Sequence, residues 1–124
     1  MAIEGFVPGK LLRIFVDEND HVGLQPTYCA VVELLRHRGV AGATVFRGIE
    51  GYGGHNEVHM ARVFGWSGKM PILIEVVDDW EKIEPLIPEL RTMVGEGLLT
   101  IEAADYLRLT REPKRGWAKQ RQPG

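Results

Sequence analysis

The sequence predicts an α+β fold, a ferredoxin-like βαββαβ sandwich in which a four-stranded antiparallel sheet carries two helices on one face. Apolar runs typical of strands and longer patterns with helical spacing follow one another in the order strand, helix, strand, strand, helix, strand. This is the order of a split βαβ unit. The chain has 124 residues, enough to bury one core but too few for two independent ones. We therefore expect one domain.

The first strand and the first helix come from residues 11–39. Residues 11–16 are apolar apart from one arginine, and the acidic and Asn residues at 17–20 favour a turn. Helical spacing then links four residues, Tyr28, Val31, Val32 and Leu35. Pro26 suits the first turn of a helix and Gly39 suits its end. We predict a helix of about 13 residues here.

A second strand, a long loop and a third strand follow. Residues 43–49 are extended in character, and Gly48 inside them indicates a bulge or a close backbone approach. Residues 51–70 are polar and rich in glycine, and so long a connection is usually functional or disordered. Residues 72–77 are apolar apart from Glu75, as expected of a central strand. We interpret the connection as a mobile loop between two strands.

The second helix and the fourth strand complete the pattern. Apolar residues recur at helical spacing from Ile83 to Val94, while Pro85 and Pro88 predict a late start or a kink. Apolar and polar residues alternate over residues 99–103, which indicates a strand. Because the helices cover only one face of such a sheet, apolar residues on the other face predict self-association, and we expect a trimer.

Both ends of the chain are expected to lie outside the domain. Residues 1–9 are interpreted as an N-terminal extension. Residues 111–124 contain five basic residues, one acidic residue and several Pro and Gly, which predicts a flexible tail. A basic tail could bind phosphate groups, but with Trp117 as its one aromatic residue no nucleic-acid partner is expected. No segment resembles a membrane span or a secretory signal, so we expect a cytoplasmic protein without membrane insertion.

Few residues offer chemistry, and each has an ordinary structural explanation. His55 and His59 have a spacing found in some zinc sites, but the glycines around them favour a solvent-exposed pair, and no metal ligand is assigned. Glu75 interrupts an apolar strand and needs either a ligand or a salt bridge. Asp78 and Asp79 are interpreted as helix caps. No nucleophile, metal cluster or acid–base pair stands out, so we do not expect an enzyme.

The turn Gly95-Glu96-Gly97 after the second helix has two interpretations. It is either a helix C-cap or a run of backbone N–H groups that holds an anion. The turn lacks the Lys and the Ser or Thr of a phosphate-binding P-loop. Arg108 and Arg111, after the last strand, could bring positive charge to a phosphate across a subunit boundary. Otherwise both arginines lie on a solvated end.

Several of these segments together resemble a known family. Residues 39–45, Gly-Val-Ala-Gly-Ala-Thr-Val, are similar to the segment entering the second strand of PII nitrogen-regulatory proteins, and residues 51–53, Gly-Tyr-Gly, resemble the opening of the PII T-loop. Residues 74–77 are similar to the third PII strand and residues 95–97 to a reduced B-loop, while Arg108 lies where the C-terminal loop carries a phosphate-binding arginine. The chain resembles the PII superfamily, and more closely its PII-like relatives of domain-of-unknown-function family 190.

This resemblance covers residues 10–110 and implies a PII-like signalling protein. Such a homotrimer binds an adenine nucleotide or another small anion in the clefts between subunits. Its mobile loop, at about residues 51–70, engages a transporter, channel or enzyme. The residues placed at the ligand, with Arg47 added from its position alone, are Gly42, Thr44, Arg47, Gly51, Tyr52, Gly53, Glu75, Gly95, Gly97 and Arg108.

The chain departs from the PII pattern in ways that leave the ligand class open. One residue is inserted before Gly51, the B-loop lysine is missing, and Thr110 replaces a second arginine. A monophosphate or a cyclic nucleotide is therefore an alternative to a triphosphate, and no cofactor is assigned beyond such a nucleotide. The same fold would also suit a metal-binding trimer resembling the CutA proteins, through His55 and His59, or a small enzyme.

Overall fold

The strands and helices follow one another in the predicted order. The computed structural model describes residues 4–53, 59–60 and 70–111. Its longer elements are β1 (Lys10–Asp17), α1 (Thr27–His37), β2 (Thr44–Arg47), β3 (Pro71–Asp78), α2 (Trp80–Ile83), a 3-10 turn (Glu84–Leu86), α3 (Ile87–Val94) and β4 (Leu98–Ala103). Two pairs of two-residue strands lie between them, His21–Val22 with Gln25–Pro26 and Glu50–Gly51 with His59–Met60.

The four longer strands form one antiparallel sheet in the order β2-β3-β1-β4. In its centre, Ile14 of β1 lies opposite Ile74 of β3 and Leu99 of β4. β2 pairs with the other edge of β3, where Thr44 lies opposite Glu75. The first and third strands are therefore central and the second and fourth are edges. The predicted α+β ferredoxin-like fold is confirmed.

One face of the sheet is buried under the helices. Six alternate apolar residues of the two central strands point to this face and are at most 5% exposed: Leu12, Ile14, Val16, Ile72, Ile74 and Val76. The helical segments pack on them with Val31, Leu34, Leu35, Ile83, Leu86 and Leu90. Burying one such side chain stabilises the fold by roughly 1.5–3 kcal/mol, so this layer is the core. The sheet face opposite the helices is called the open face below.

The end of α1 is fixed by a glycine. Gly39 has a φ of 82°, its N–H donates to the Arg36 carbonyl, and the Val40 N–H donates to the Leu35 carbonyl. This pair of hydrogen bonds is a Schellman motif, and the positive φ it requires costs glycine little. The predicted helix end at Gly39 is confirmed, although the helix itself is somewhat shorter than expected, at 11 residues.

The second helical region is interrupted as its prolines predict. The 3-10 turn separates α2 from α3, and Pro85 and Pro88 occupy first-turn positions of the 3-10 turn and of α3. A proline is tolerated there because first-turn residues need no N–H donor. Ile83 and Leu90, on either side of the break, are both fully buried. The break therefore keeps the apolar face of the region against the sheet.

β2 is shorter than the strand predicted over residues 43–49, because Gly48 lies against Pro71. The Gly48 N–H donates to the Pro71 carbonyl over 2.7 Å. A Cβ on Gly48 would come within 2.6 Å of the proline ring, so only glycine fits without a shift. The predicted close approach is confirmed, and it ends β2 at Arg47.

The predicted loop over residues 51–70 begins with regular pairing. Glu50 lies opposite Met60 and Gly51 opposite His59 in two short antiparallel strands. The side chain of His59, the whole of His55 and most other residues of this loop lie outside the described residues. The two-histidine prediction therefore stays a prediction.

Part of the N-terminal extension is joined to the sheet. Val7 and Tyr106 exchange two backbone hydrogen bonds of 2.9 Å. A Cβ on Gly9 would come within 2.6 Å of the Tyr106 ring and within 3.1 Å of the Asp78 carbonyl oxygen. The basic tail from residue 112 onward lies outside the described residues.

Candidate functional site

A pocket of about 360 Å³ lies at the end of the sheet where β1 stops and β3 and β4 begin. Four of the predicted ligand residues line it, namely Gly51, Tyr52, Gly53 and Gly97. Phe15, Ile72 and Leu98 supply apolar wall. The side chain of Tyr52 is 70% exposed, so its ring is free to contact a ligand that enters. The pocket combines an aromatic ring, apolar walls and accessible glycine backbone.

Gly95 and Gly97 both have structural reasons to be glycine. Gly95 has a φ of 64° and ends α3, and its N–H donates to the Arg91 carbonyl over 3.1 Å. A Cβ on Gly97 would come within 2.5 Å of the Phe15 carbonyl oxygen. The C-cap interpretation of the turn is confirmed. The same turn brings Gly97 into the pocket wall, so the cap is compatible with ligand binding.

The described lining of the pocket is acidic. Asp17, Asp20 and Glu96 contribute carboxyl groups, and the described lining residues include no Lys or Arg. The Asp20 carboxylate is oriented by the Asp17 N–H, which donates to it over 3.0 Å. Carboxylates accept hydrogen bonds from hydroxyl and amino groups but repel phosphate. A phosphate bound here would need cations from outside this described lining.

The predicted phosphate-binding Arg108 lies at the opposite end of the sheet. Its Nη2 is 3.5 Å from the Asp78 Oδ1 and donates to the Val77 carbonyl over 3.5 Å. The guanidinium carbon lies 4.9 Å from the centroid of the Tyr106 ring, close enough for a cation–π contact. Because an arginine has five N–H donors and this side chain is 49% exposed, these contacts leave donors for an external anion.

Asp78 is a buried carboxylate beside Arg108, and its side chain is 1% exposed. Its Oδ2 accepts the Ala41 N–H over 2.8 Å and its Oδ1 accepts the Asp79 N–H over 2.7 Å. Burial alone would raise its pKa, but these hydrogen bonds and the positive charges of Lys82 and Arg108 outweigh burial. The pKa of Asp78 therefore lies below its ordinary value of 3.8, and the carboxylate stays ionised.

The interpretation of Asp78 and Asp79 as helix caps is confirmed for the position of Asp79 and is wrong for Asp78, which is a buried residue of β3. Asp79 occupies the N-cap position of α2 but makes no side-chain cap hydrogen bond. Its carboxylate instead accepts the Tyr106 hydroxyl, which raises the pKa of that tyrosine. The sequence did contain a signal for the burial of Asp78. Alternate residues of β3 face the helices, and Asp78 is the last of them.

Glu75 and Thr44 face each other in the middle of the open face. Glu75 lies opposite both Thr44 of β2 and Arg13 of β1. The Arg13 Nε is 2.9 Å from the Glu75 carboxylate, and its Nη1 is 2.8 Å from the Glu102 carboxylate. The salt-bridge interpretation of Glu75 is therefore confirmed. Contacts of Thr44 and Glu75 with a ligand stay predictions.

Arg47 lies on the helix side of the sheet rather than on the open face. It is opposite Ile72, which is buried against the helices. Its Nε is 3.1 Å from the Glu18 carboxylate, just beyond the end of β1. The ion pair accounts for the position of this side chain, and a role of Arg47 at a ligand stays a prediction.

Six of the predicted residues thus fall into two groups at opposite ends of one subunit, while Thr44 and Glu75 lie between the two ends. One group lines the pocket, beside Pro71. The other surrounds Asp78 and includes Arg108 and Gly42, which follows the Ala41 N–H bound by Asp78. Pro71 and Asp78 are the two ends of the eight-residue strand β3, about 23 Å apart at about 3.3 Å per residue. A small ligand cannot contact both groups within one subunit.

The described residues contain neither a candidate metal site nor a candidate membrane-spanning helix. Among residues 4–53, 59–60 and 70–111, no group of three or more His, Cys, Asp or Glu could hold a metal ion. Within the same ranges, no helix combines the length and the apolar character needed to cross a membrane. Cys29, on α1, is a half-buried free thiol.

A family model and two relatives cover most of the chain. Residues 9–106 match the family model DUF190, "Uncharacterized ACR". A UPF0166 protein of Aquifex aeolicus (strain VF5) is 36% identical over 103 residues, which are 83% of this chain and 97% of that protein. A UPF0166 protein of Methanocaldococcus jannaschii is 32% identical over 96 residues, which are 77% of this chain and 88% of that protein.

Solved structures share the fold. CPII, a nitrogen regulatory PII-like protein from Thiomonas intermedia K12, bound to ADP, AMP and bicarbonate, has a TM-score of 0.66 at 19% identity, over 83% of this chain and 92% of that chain. The apo form of CPII has a TM-score of 0.56 at 19% identity, over 84% and 97% of the two chains. The chain therefore belongs to the DUF190 family and has the fold of PII-like proteins, which confirms the resemblance read from the sequence.

Proposed function

We propose that this protein is a PII-like regulatory protein, not an enzyme, and that it binds an adenine nucleotide between two copies of the chain. The loop at residues 51–70 then signals occupancy to a protein partner by changing conformation. The observation that supports the shared site is the separation of the predicted ligand residues into two groups at opposite ends of the sheet.

The two groups can meet on one ligand only when they come from different subunits. The end of the sheet near Asp78 carries the half-exposed cation Arg108, whereas the pocket end carries the carboxylates of Asp17 and Asp20. Such complementary charges favour a contact between the Asp78 end of one copy and the pocket end of the next. A head-to-tail contact gives a closed ring when the rotation between neighbouring subunits divides a full turn, and we propose the three-membered ring, a homotrimer.

The open face gives a second reason to expect assembly. In one row across the sheet, four apolar residues lie side by side, Phe46, Leu73, Phe15 and Leu98. Three of them are strongly exposed, with Phe15 at 37%, Phe46 at 48% and Leu98 at 56%. A contiguous apolar row in water favours association. We propose that the other subunits of the trimer cover it.

The chemistry of the two ends suits the parts of a nucleotide. At the pocket, Tyr52 offers a ring for stacking on a base, and the carboxylates of Asp17 and Asp20 can accept hydrogen bonds from ribose hydroxyls or an amino group. The neighbouring subunit's Arg108 would bind phosphate by charge-assisted hydrogen bonds. CPII, which has this fold, is bound to ADP and AMP in one of its structures, and this supports the ligand class.

Titration calorimetry with AMP, ADP, ATP and cyclic AMP tests nucleotide binding, on protein whose mass is measured by light scattering. We expect a trimeric mass and binding of at least one nucleotide. Arg108→Gln should weaken that binding by about tenfold or more, because a charge-assisted hydrogen bond is lost. Arg91→Gln, at an exposed arginine of α3, is the matched control. A monomeric mass, or no binding by a trimer, contradicts the proposal.

Mixed trimers test whether two subunits share each site. Arg108→Gln subunits and Tyr52→Ala subunits each lack one half of the proposed site, and either variant alone should bind poorly. Unfolding and refolding them together should restore full affinity at about a quarter of the sites, since a head-to-tail ring pairs the intact halves at random. A site built within one subunit would show no restoration.

A further inference from the structure

Asp78 contacts two segments that are far apart in the sequence. Its Oδ2 accepts the N–H of Ala41, which directly precedes the predicted ligand residue Gly42. Its Oδ1 faces Arg108, whose Nη2 is 3.5 Å away. The same side chain is 1% exposed and lies in the β3 row that faces the helices. One buried carboxylate therefore joins the segment before β2 to the segment after β4.

Arg108 otherwise has little to hold it in place. Its other contacts are the Val77 carbonyl at 3.5 Å and the face of the Tyr106 ring at 4.9 Å. Leu109, the next residue, is 88% exposed. Ordering a long side chain when a ligand binds lowers affinity. An arginine already oriented by a buried negative charge would bind an anion with less loss of entropy.

We propose that Asp78 is a positioning residue for ligand binding, which assembles the half-site that one subunit presents to the pocket of its neighbour. It orients Arg108 through charge and fixes the Ala41 backbone, and thereby Gly42, through a hydrogen bond. Asp78 itself does not touch the ligand. The proposal rests on the proposed function, because it assigns a role to Arg108 at the ligand.

A double-mutant cycle with ADP as the probe tests this role. Asp78→Asn keeps the size of the side chain but removes its charge, and we expect ADP affinity to fall by about threefold to tenfold, the range for one long side chain that must be ordered. In an Arg108→Gln background the same change should have a clearly smaller effect on affinity, because no arginine is left to orient and the Asn carbonyl oxygen can still accept the Ala41 N–H. Equal losses in both backgrounds would indicate a merely structural role and overturn the proposal.

Lys82→Gln is the matched control. The Lys82 Nζ is 4.0 Å from the same Asp78 oxygen, but its side chain extends from α2 and is not part of the proposed half-site. Its removal also changes the charge around Asp78, yet ADP affinity should stay unchanged. A loss equal to that of Asp78→Asn would mean that the general charge of this region, and not the orientation of Arg108, sets the affinity.

The NMR signal of the Arg108 side-chain Nε–H adds a readout that needs no ligand, and its wild-type measurement needs no variant. In the wild type we expect relaxation typical of an ordered side chain, and in Asp78→Asn that of a flexible one. A flexible Arg108 in the wild type would overturn the proposal. If the wild type binds no nucleotide, the proposed function fails. If it binds ADP and Asp78→Asn binds equally well, only the role of Asp78 fails.

Discussion

The two faces of the sheet are built from the same alternating strands but differ in what completes them. On the helix side, Ile14, Ile74 and Val76 are at most 1% exposed, because α1 and α3 of the same chain cover them. On the open face, the residues between them remain partly in water: Phe15 is 37% exposed and Arg13 has a side chain 36% exposed. The helix side of the sheet is covered by the same subunit, whereas the open face is not.

The open face also carries a cluster of charges in its centre, where the helix face is apolar. Arg13 lies between Glu75 and Glu102 and is within 2.9 Å of one and 2.8 Å of the other. The hydrogen bond that Arg13 donates to Glu75, and the negative charges of both glutamates, raise the pKa of Arg13 although partial burial opposes this. A surface that covers this face must match an apolar row and leave the ion pairs intact. Folding and assembly should therefore respond to different substitutions.

Phe46→Glu is expected to have the largest effect, complete loss of assembly with the fold retained. The substitution puts a carboxylate in the apolar row, where assembly would bury it without a partner. In one subunit Phe46 is 48% exposed, so the monomer tolerates the charge. Light scattering measures the mass and circular dichroism measures the fold. Leu24→Glu, at a fully exposed side chain away from the sheet, is the control. An unchanged mass for Phe46→Glu would remove the open face from the interface.

Two adjacent residues of β3 allow the same truncation on either face. Ile74→Ala should lower the free energy of unfolding by about 3 kcal/mol, because it leaves a cavity in a fully buried position. Leu73→Ala, on the half-buried open face, should cost about 1 kcal/mol or less in a single subunit, where water can fill the space. Urea unfolding of both, in the Phe46→Glu background, isolates the subunit. Equal losses would mean that the two faces do not differ in this way.

Acid should weaken the helix side through Asp78. Its pKa is lower in the folded protein than its ordinary value of 3.8, so the ionised form stabilises the fold. That contribution is fully present above pH 3.8 and is lost as the pH falls through the lower folded value. Asp78→Asn should therefore cost about 2 kcal/mol at pH 7, and the difference from wild type should shrink below pH 3.8. A difference that stays constant with pH, in urea unfolding, would contradict this account.

Local signals in the sequence were enough to predict much of the fold. The positive φ at Gly39, the break at Pro85 and the close approach at Gly48 each depend on a few neighbouring residues or on one residue type. Amphipathic periods predicted the strands and helices in order. Gly97 was a candidate from its turn and Gly51 from family resemblance, but neither period nor spacing predicts that the two line one pocket.

Long-range pairs account for what could not be predicted. Asp78 was interpreted as a cap because its partner Ala41 is 37 positions away. Glu75 could equally have met a ligand, because nothing local reveals Arg13, 62 positions away on β1. Arg47 pairs with Glu18 across 29 positions. The sequence shows which residues alternate along a strand. Which charged side chains lie next to each other depends on the pairing register of neighbouring strands, and the sequence pattern does not reveal it.

The smallest expected effect concerns Glu102. It tests whether assembly changes how much the ion pairs of the open face contribute to stability. In the monomeric Phe46→Glu background, Glu102→Gln should leave the urea midpoint unchanged, since the Glu102 side chain is 58% exposed and an exposed pair contributes little. In the assembled protein the same change should lower the midpoint, because Arg13 would lose one partner in a site that other subunits have shielded from water. Thr100→Ala, at the β4 residue opposite Arg13, controls for changes to the edge strand. If Glu102→Gln had no effect in the assembled protein either, the ion pairs would lie outside the covered area, and the interface would be confined to the apolar row.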